Sequence, residues 1–526
     1  MRVLGIVGSI AVANLVGATV VPQYVQEAFS VEDVYESVRE VTDLFDDSSE
    51  SSIFGWPHVP YFLKPGVDSE KIQESITIEQ LNETAWDLFD AANKSTKEFG
   101  HPTRVIGSKG HWKSIGYILS KLNEHRDYYD ISVQSFPALA GKVNSYNLSF
   151  VNDGGKVPTA KPFALTPPVK GFVGKVIEVP NLGCDEIDYK SLVIPKNSIA
   201  LIERGQCPFG KKSNLAGKHG FKAAIIYDND PLSKNGISGT LEKPTKNTVA
   251  TIGVSYKEGK VLIAAIELSK NDYSLYFEVD SYVKNVKTKN IIADTKHGDP
   301  ENIVALGAHS DSVSDGPGIN DDGSGAISLL TIAKELVHYK INNKVRFAWW
   351  AAEEEGLLGS VYYANNLSPE ENSKIRLFMD YDMMASPNYE YQVYDANNKD
   401  HPEGSEELKN LYIDFYQSQN LTYSLIPFDG RSDYVGFINH GIPSGGIATG
   451  AEGINKKNGF PFDQCYHSLC DDVSNLAFDA FLVNTRLIAH SVATYAKSLE
   501  GFPERNLNVT AASTSEFPYR GSKLIV

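Results

Sequence analysis

The sequence predicts an α/β fold, a mixed and mainly parallel sheet flanked by helices, with a smaller α+β domain inserted into it. Three observations predict it. From Asn302 to Asp382, apolar strand-like runs alternate with helix-like ones, the pattern of strand–helix–strand crossovers. Acidic residues and a histidine collect just past the apolar runs, at the strand ends where open parallel sheets gather their ligands. Between the two parts of this pattern, Tyr146 to Asn285 is rich in short β-branched runs.

The elements follow in order. Ile76 to Ser145 reads as two helices, the second within Gly107–Leu122, and a strand around Ile131 to Phe136. In the insertion, Ser198 to Asp230 alternates strand, loop, helix and strand before reaching Val249 to Ile266. The main pattern then resumes with a strand over Asn302–Leu306, a glycine-rich loop, and a helix over Ala326–His338 that Ser324 is able to cap. A strand over Val345–Ala352, a helix over Leu357–Asn366 and a strand ending at Asp382 complete it. His338 is expected on the surface of its helix.

The loop Gly307–Gly325, GAHSDSVSDGPGINDDGSG, places His309, Asp311 and Asp321 directly after a strand. Imidazole and carboxylate are ligands that suit zinc, and a carboxylate two residues from the histidine can accept its other ring N–H. Glu353 and Glu354 leave the end of the next strand. Adjacent residues point to different sides, so one can bind metal while the other handles a proton. Asp380 and Asp382 share one face of the following strand. In FDQCYHSLCDD, His467 lies between Cys465 and Cys470, which are either ligands themselves or the ends of a small disulfide ring around it.

In this order GAHSDSV, GINDDGSG, AEE, DYDMMASPN, GRSDY, GIPSGGIATGAE and CYHSLCD resemble the M28 zinc aminopeptidases that carry an inserted protease-associated domain. The match spans most of the chain after about residue 75. The resemblance implies a zinc exopeptidase fold and two Zn2+ ions, replaceable in vitro by metals such as Co2+. One would be held by His309 and Asp382, the other by Glu354 and His467, with Asp321 bridging, so that a shared water makes each four-coordinate. It further implies Asp311 as the orienting partner of His309, Glu353 as general base, Tyr466 as hydrogen-bond donor to the oxyanion, and Arg431 as a substrate or product contact. The Asp321–Asp322 peptide bond is cis in the family. Cys184 and Cys207 would pair within the protease-associated domain, leaving Cys465 with Cys470.

The implied reaction is hydrolysis of the N-terminal peptide bond of peptides with a free amine. The competing readings are a two-zinc carboxypeptidase, which needs a basic pocket, and a catalytically silent receptor or binding module. The implied organisation is a signal peptide at 1–18, a propeptide at 19–56, the peptidase domain at 57–145 and 286–505, the protease-associated domain at 146–285 and a tail at 506–526. The inserted domain has no catalytic constellation and reads as a lid or docking surface.

Composition bounds the partners. With 526 residues, 42% of them hydrophobic, the chain can bury real cores, and a net charge of −17 argues against nucleic acid or anionic membranes. Met1-Arg2 followed by the mostly apolar Val3–Val21, with Gly17 and Ala18, has the form of a secretory signal, although its length also allows an anchor. No later segment resembles a membrane span. Asn82, Asn93, Asn147, Asn366, Asn420 and Asn508 each begin a glycosylation acceptor pattern, and the four cysteines fit two disulfides. The secretory pathway is expected, ending in the vacuole lumen or outside the cell. Val31, Val34, Val38, Val41 and Phe45 lie at helical spacing in an acidic stretch before the serine-rich Asp46–Ser52, so the propeptide is expected to cover the cleft until a processing protease removes it.

Overall fold

The computed structural model describes residues 59–507 apart from 153, 233–235, 238 and 429. The expected signal peptide, propeptide and Asn508, with nearly all of the tail, lie outside the described residues. In chain order the strands that matter are β1 (Tyr129–Phe150), β2 (Lys161–Pro162), β3 (Val169–Glu178), β4 (Ser198–Glu203), β5 (Ala223–Tyr227), β6 (Ala250–Val254), β7 (Ser274–Thr295), β8 (Asp299–His309), β9 (Asn343–Trp350), β10 (Ile375–Tyr381), β11 (Tyr391–Tyr394), β12 (Tyr423–Ile426) and β13 (Ser444–Ala448).

The core of the larger lobe runs β13-β10-β8-β9, all parallel, and antiparallel contacts add β11 beside β13 and β7 beside β9. Helices cover both faces, so these strands read as near-continuous apolar runs; all seven residues of β10 are buried. The adjacent Trp349 and Trp350 show the period of two. Trp349 stacks with Phe347 in the apolar cluster that includes Leu330 and Phe481, whereas Trp350 packs on the other face with Phe378 and Phe437.

The helix after the glycine-rich loop runs Gly323–Leu336, starting earlier than the sequence suggests, and its cap is Asp322, whose Oδ1 accepts from the Gly325 amide at 2.9 Å. Ser324 does not cap it. Its hydroxyl donates to the Asn320 carbonyl at 2.7 Å and accepts from the Met384 amide at 2.7 Å. His338 is exposed and lies just past the helix.

The strand expected at Ile131–Phe136 is the start of a much longer one. β1 and β7 pair antiparallel from Tyr129↔Thr295 to Phe150↔Leu275, running through both expected boundaries of the inserted domain. Residues 141–147 of β1 and 282–287 of β7 are partly buried or exposed, so the sequence there lacks the apolar alternation that marks a strand. Beyond it, β3, β4, β5 and β6 form a parallel sheet with apolar clusters on both faces, and Cys184–Cys207 is a disulfide.

That smaller lobe buries a lysine. Lys212 is fully covered, donates to the Leu182 carbonyl and lies 3.4 Å from Cys184 Sγ. Burial lowers its pKa from 10.5 to about 7, with Asp188 and Glu203 pulling the other way. Between these values the unfolded chain binds more protons, so stability is expected to rise with pH from about 7 to about 10. Below about pH 7 both states are charged and this slope disappears. Lys212→Met should flatten the rise in denaturant titrations across that window; an unchanged slope would rule Lys212 out as its source.

Candidate metal centre

Four chain segments bring the site together at the carboxyl ends of β8, β9 and β10. His309 ends β8, Asp321 precedes the Gly323–Leu336 helix, Glu353 and Glu354 follow β9, Asp382 follows β10, and His467 comes from the loop after β13. Ligand atoms of His309, Asp321 and Asp382 lie within 4.8 Å of one another, as do those of Asp321, Glu354 and His467. Asp321 belongs to both groups. Its Oδ1 is 3.3 Å from His309 Nε2, and its Oδ2 is 3.2 Å from His467 Nε2. On the outer sides, Asp382 Oδ1 lies 3.9 Å from His309 Nε2 and Glu354 Oε2 lies 3.1 Å from His467 Nε2.

The donor set fits divalent cations. His309 Nε2, Glu354 Oε1 and Asp382 Oδ1 are buried without a hydrogen-bond partner among the described residues, a costly condition that metal ligation relieves. Electrostatics agrees. Burial lowers the His309 pKa, but Glu353, Asp311, Asp321 and Asp382 outweigh it and raise it well above the ordinary value; Glu354 and Asp321 do the same for His467. The two imidazoles in turn overcome burial to hold the Asp321 carboxyl well below its usual range.

The neighbouring residues fall into place around this centre. Asp311 stands 3.7 Å from His309 Nδ1, beyond hydrogen-bond range, while its carboxylate accepts from the Glu353 and Glu354 amides at 3.3 and 3.4 Å. Glu353 Oε2 is 3.8 Å from His309 Nε2, and burial, reinforced by Glu354, Asp433 and Asp382, pushes its carboxyl well up against the pull of His309. Asp380 does not join the centre. It turns away to accept from the Tyr434 amide at 3.0 Å. Tyr466 stacks on His467 with ring centroids 3.8 Å apart, and Cys465–Cys470 is a disulfide bracketing both. His467 itself has a φ of 52°, as Ala352 before Glu353 and Met383 after Asp382 have 63° and 60°. Left-handed backbone at non-glycine residues recurs at functional sites, where surrounding structure imposes it. The Asp321–Asp322 bond is cis.

A cleft of roughly 700 Å³, part of it open to solvent, leads to the centre. Glu353 and Tyr466 line it beside Arg431, with Met383, Tyr394, Ile426 and Pro427 forming an apolar wall. Of the acceptor asparagines, Asn366 and Asn420 are exposed, and Asn82, Asn93 and Asn147 are partly buried.

Known proteins resemble this chain in sequence and in fold. The family model "Peptidase family M28" matches residues 290–492, and a PA domain model matches residues 170–262. Aminopeptidase Y of Saccharomyces cerevisiae is 63% identical over 522 residues, covering 98% of this chain and 97% of the relative. The chain belongs to peptidase family M28. A probable leucine aminopeptidase 2 of Aspergillus oryzae is 41% identical to this M28 peptidase over 84% of the chain and 88% of its own length. Among solved structures, an aminopeptidase from Aneurinibacillus sp. strain AM-1 shares the fold with a TM-score of 0.65 at 24% identity, covering 84% of this chain and 98% of that one. BSAP, a zinc aminopeptidase from Bacillus subtilis, shares it with a TM-score of 0.58 at 23% identity, covering 78% and 95%.

Several residues that hold the centre of this M28 peptidase escape a sequence reading. Asp322 ties three segments together, accepting from the amides of His309 at 3.0 Å, Gly325 at 2.9 Å and Met383 at 3.2 Å. Asp471 accepts from the Asn320 and Asp321 amides at 2.9 and 3.1 Å. Asp463 accepts from the side chains of Asn320 and Asn475 at 2.8 and 2.9 Å. Beneath the loop, the buried Arg104 donates to the carbonyls of Ser310, Pro317 and Gly318. The acidic doublets Asp321-Asp322 and Asp471-Asp472 were the available signal; nothing local marked Arg104.

Proposed function

We propose that this M28 peptidase is an aminopeptidase whose centre holds two zinc ions, one by His309 and Asp382, the other by Glu354 and His467, with Asp321 shared. The observation that carries the reading is the Asp321 carboxylate, whose two oxygens face two different imidazoles at 3.3 and 3.2 Å. Zinc accepts such nitrogen and oxygen donors in four-coordinate sites, and bound there it supplies Lewis acidity for a water and for the scissile carbonyl. The rest falls to the chain's own side chains. Glu353, a carboxyl raised by burial, takes the proton from the attacking water and passes it to the departing amine. Asp311 holds the Glu353 and Glu354 amides and so aims that segment. The Tyr466 hydroxyl donates to the developing oxyanion, and Arg431 contacts the substrate at the rim.

The carboxylates of Glu353 and its neighbours suit a free α-ammonium, and the apolar wall of Met383, Tyr394, Ile426 and Pro427 suits an apolar N-terminal side chain. A carboxypeptidase needs a basic pocket, whereas Arg431 is engaged by Glu452 through two 3.2 Å contacts. The relatives named aminopeptidases support the same choice. We further read residues 57–145 and 286–505 as the peptidase domain and 146–285 as the protease-associated domain. The signal-like start, the acceptor asparagines and the two disulfides support passage through the secretory pathway to a vacuole lumen or the outside, with residues 19–56 removed by a processing protease.

The test is a panel of chromogenic aminoacyl substrates with free or blocked amines, assayed with and without chelator. Only free-amine substrates should be cleaved, apolar residues best, and chelation should abolish turnover until zinc is restored. Cleavage of blocked substrates, or indifference to chelator, would overturn the reading.

A further inference from the structure

An arginine of the inserted lobe faces an ion pair at the rim of the cleft. Arg204 follows β4 and Asp228 follows β5, so both stand at the carboxyl edge of that lobe's parallel strands. Asp228 is anchored, its Oδ1 accepting from the amides of Asn229 at 2.8 Å and Asp230 at 3.4 Å. Arg204 Nη1 donates to the same oxygen at 3.2 Å, and the two side chains are only 8% and 6% exposed. The second terminal nitrogen, Nη2, faces Glu452 Oε1 of the larger lobe at 3.7 Å. Both oxygens of Glu452 in turn accept from Arg431 Nη2 at 3.2 Å.

This chain of charges differs from a surface ion pair. Arg431 and Glu452 are 30% and 40% exposed, and a pair at that exposure holds its partners only weakly on its own. Arg204 adds a buried charge whose position is set by an amide-held carboxylate. Desolvation raises the Glu452 carboxyl, but Arg431 and then Arg204 outweigh it and bring it down to about 2, so Glu452 stays charged between them across the neutral range. The two lobes also approach each other closely at Gly356. Gly356, in the loop after Glu354, has a φ of 110°, and a Cβ there would lie 3.2 Å from Glu242 Cγ of the inserted lobe.

We propose that Arg204 of the inserted lobe is a positioning residue of the peptidase, acting through Glu452 to hold the Arg431 guanidinium where it meets the substrate. The inference rests on the aminopeptidase reading, and specifically on Arg431 as a substrate contact. It gives the inserted lobe a part in substrate binding without placing any of its residues on the metal centre.

The test is steady-state kinetics of the full chain on a tripeptide with a free apolar N-terminus. Arg204→Ala should raise KM roughly threefold to tenfold, the scale of coupling between residues in contact, with kcat within about twofold. Arg431→Ala should raise KM at least as much, and in the double variant Arg204→Ala should add nothing further. Glu452→Gln leaves the Arg204–Asp228 pair intact and should show the same KM effect, so the test survives even if Arg204→Ala fails to fold. A raised KM for Arg431→Ala but not for Arg204→Ala or Glu452→Gln would overturn the proposal and leave the aminopeptidase reading standing. Multiplying effects in the double variant would do the same. An unchanged KM for Arg431→Ala would remove its substrate role, and the proposal with it.

Discussion

Glu353→Gln is expected to keep the parent's metal content while lowering kcat by roughly a thousandfold, the middle of the range for losing a general base. The amide matches the carboxylate in size but cannot take a proton from water. Glu353 lies outside both groups of converging ligand atoms, so removing its charge leaves the five expected ligands in place. The loss should therefore fall mainly on kcat, with a smaller rise in KM from the lost carboxylate contact to the α-ammonium. Metal analysis beside steady-state kinetics checks it. A variant with parental kcat would take the proton-transfer role away from Glu353, and one that lost metal would make Glu353 a ligand.

Asp321→Asn should remove the centre itself. The wild-type carboxylate faces His309 with one oxygen and His467 with the other, and both groups of candidate ligands depend on it. Asparagine offers one oxygen and an NH2, so one cation position loses a ligand and both lose the shared negative charge. The expected result is loss of at least one bound metal after dialysis, together with loss of turnover at ambient zinc. Full metal content with parental activity would refute the shared role of Asp321. The two variants separate the parts of the site: Glu353→Gln spares the metal and stops the proton, whereas Asp321→Asn removes the metal.

The candidate centre was unusually legible because its chemistry is written in short local patterns. His309 and Asp321 share one glycine-rich loop, Glu353 and Glu354 sit at the end of an apolar strand, and each strand end delivers its charges to one edge of a parallel sheet. The supports were not legible. Asp322 caps the helix that follows it and takes amides from His309 at the end of β8 and from Met383, 61 residues on, a pairing that no local pattern records. Arg104 sits beneath the loop as an isolated basic residue with no motif around it. The helix cap passed from Ser324 to Asp322 because Ser324 found a carbonyl and an amide of its own. The β1–β7 ribbon was longer than expected because a half-solvated strand satisfies its backbone through its partner without needing apolar alternation.

By itself the sequence determined the α/β class, the resemblance to the M28 family, and the residue types that collect at the strand ends. Those follow from periodicity and local motifs, which involve residues close in the chain. Only the tertiary structure decided that the Asp321 oxygens divide between two imidazoles, and that Arg204 faces the Glu452 that holds Arg431. Such pairings depend on how strands and loops far apart in the chain are brought to one cleft, and no local pattern records distances of that kind.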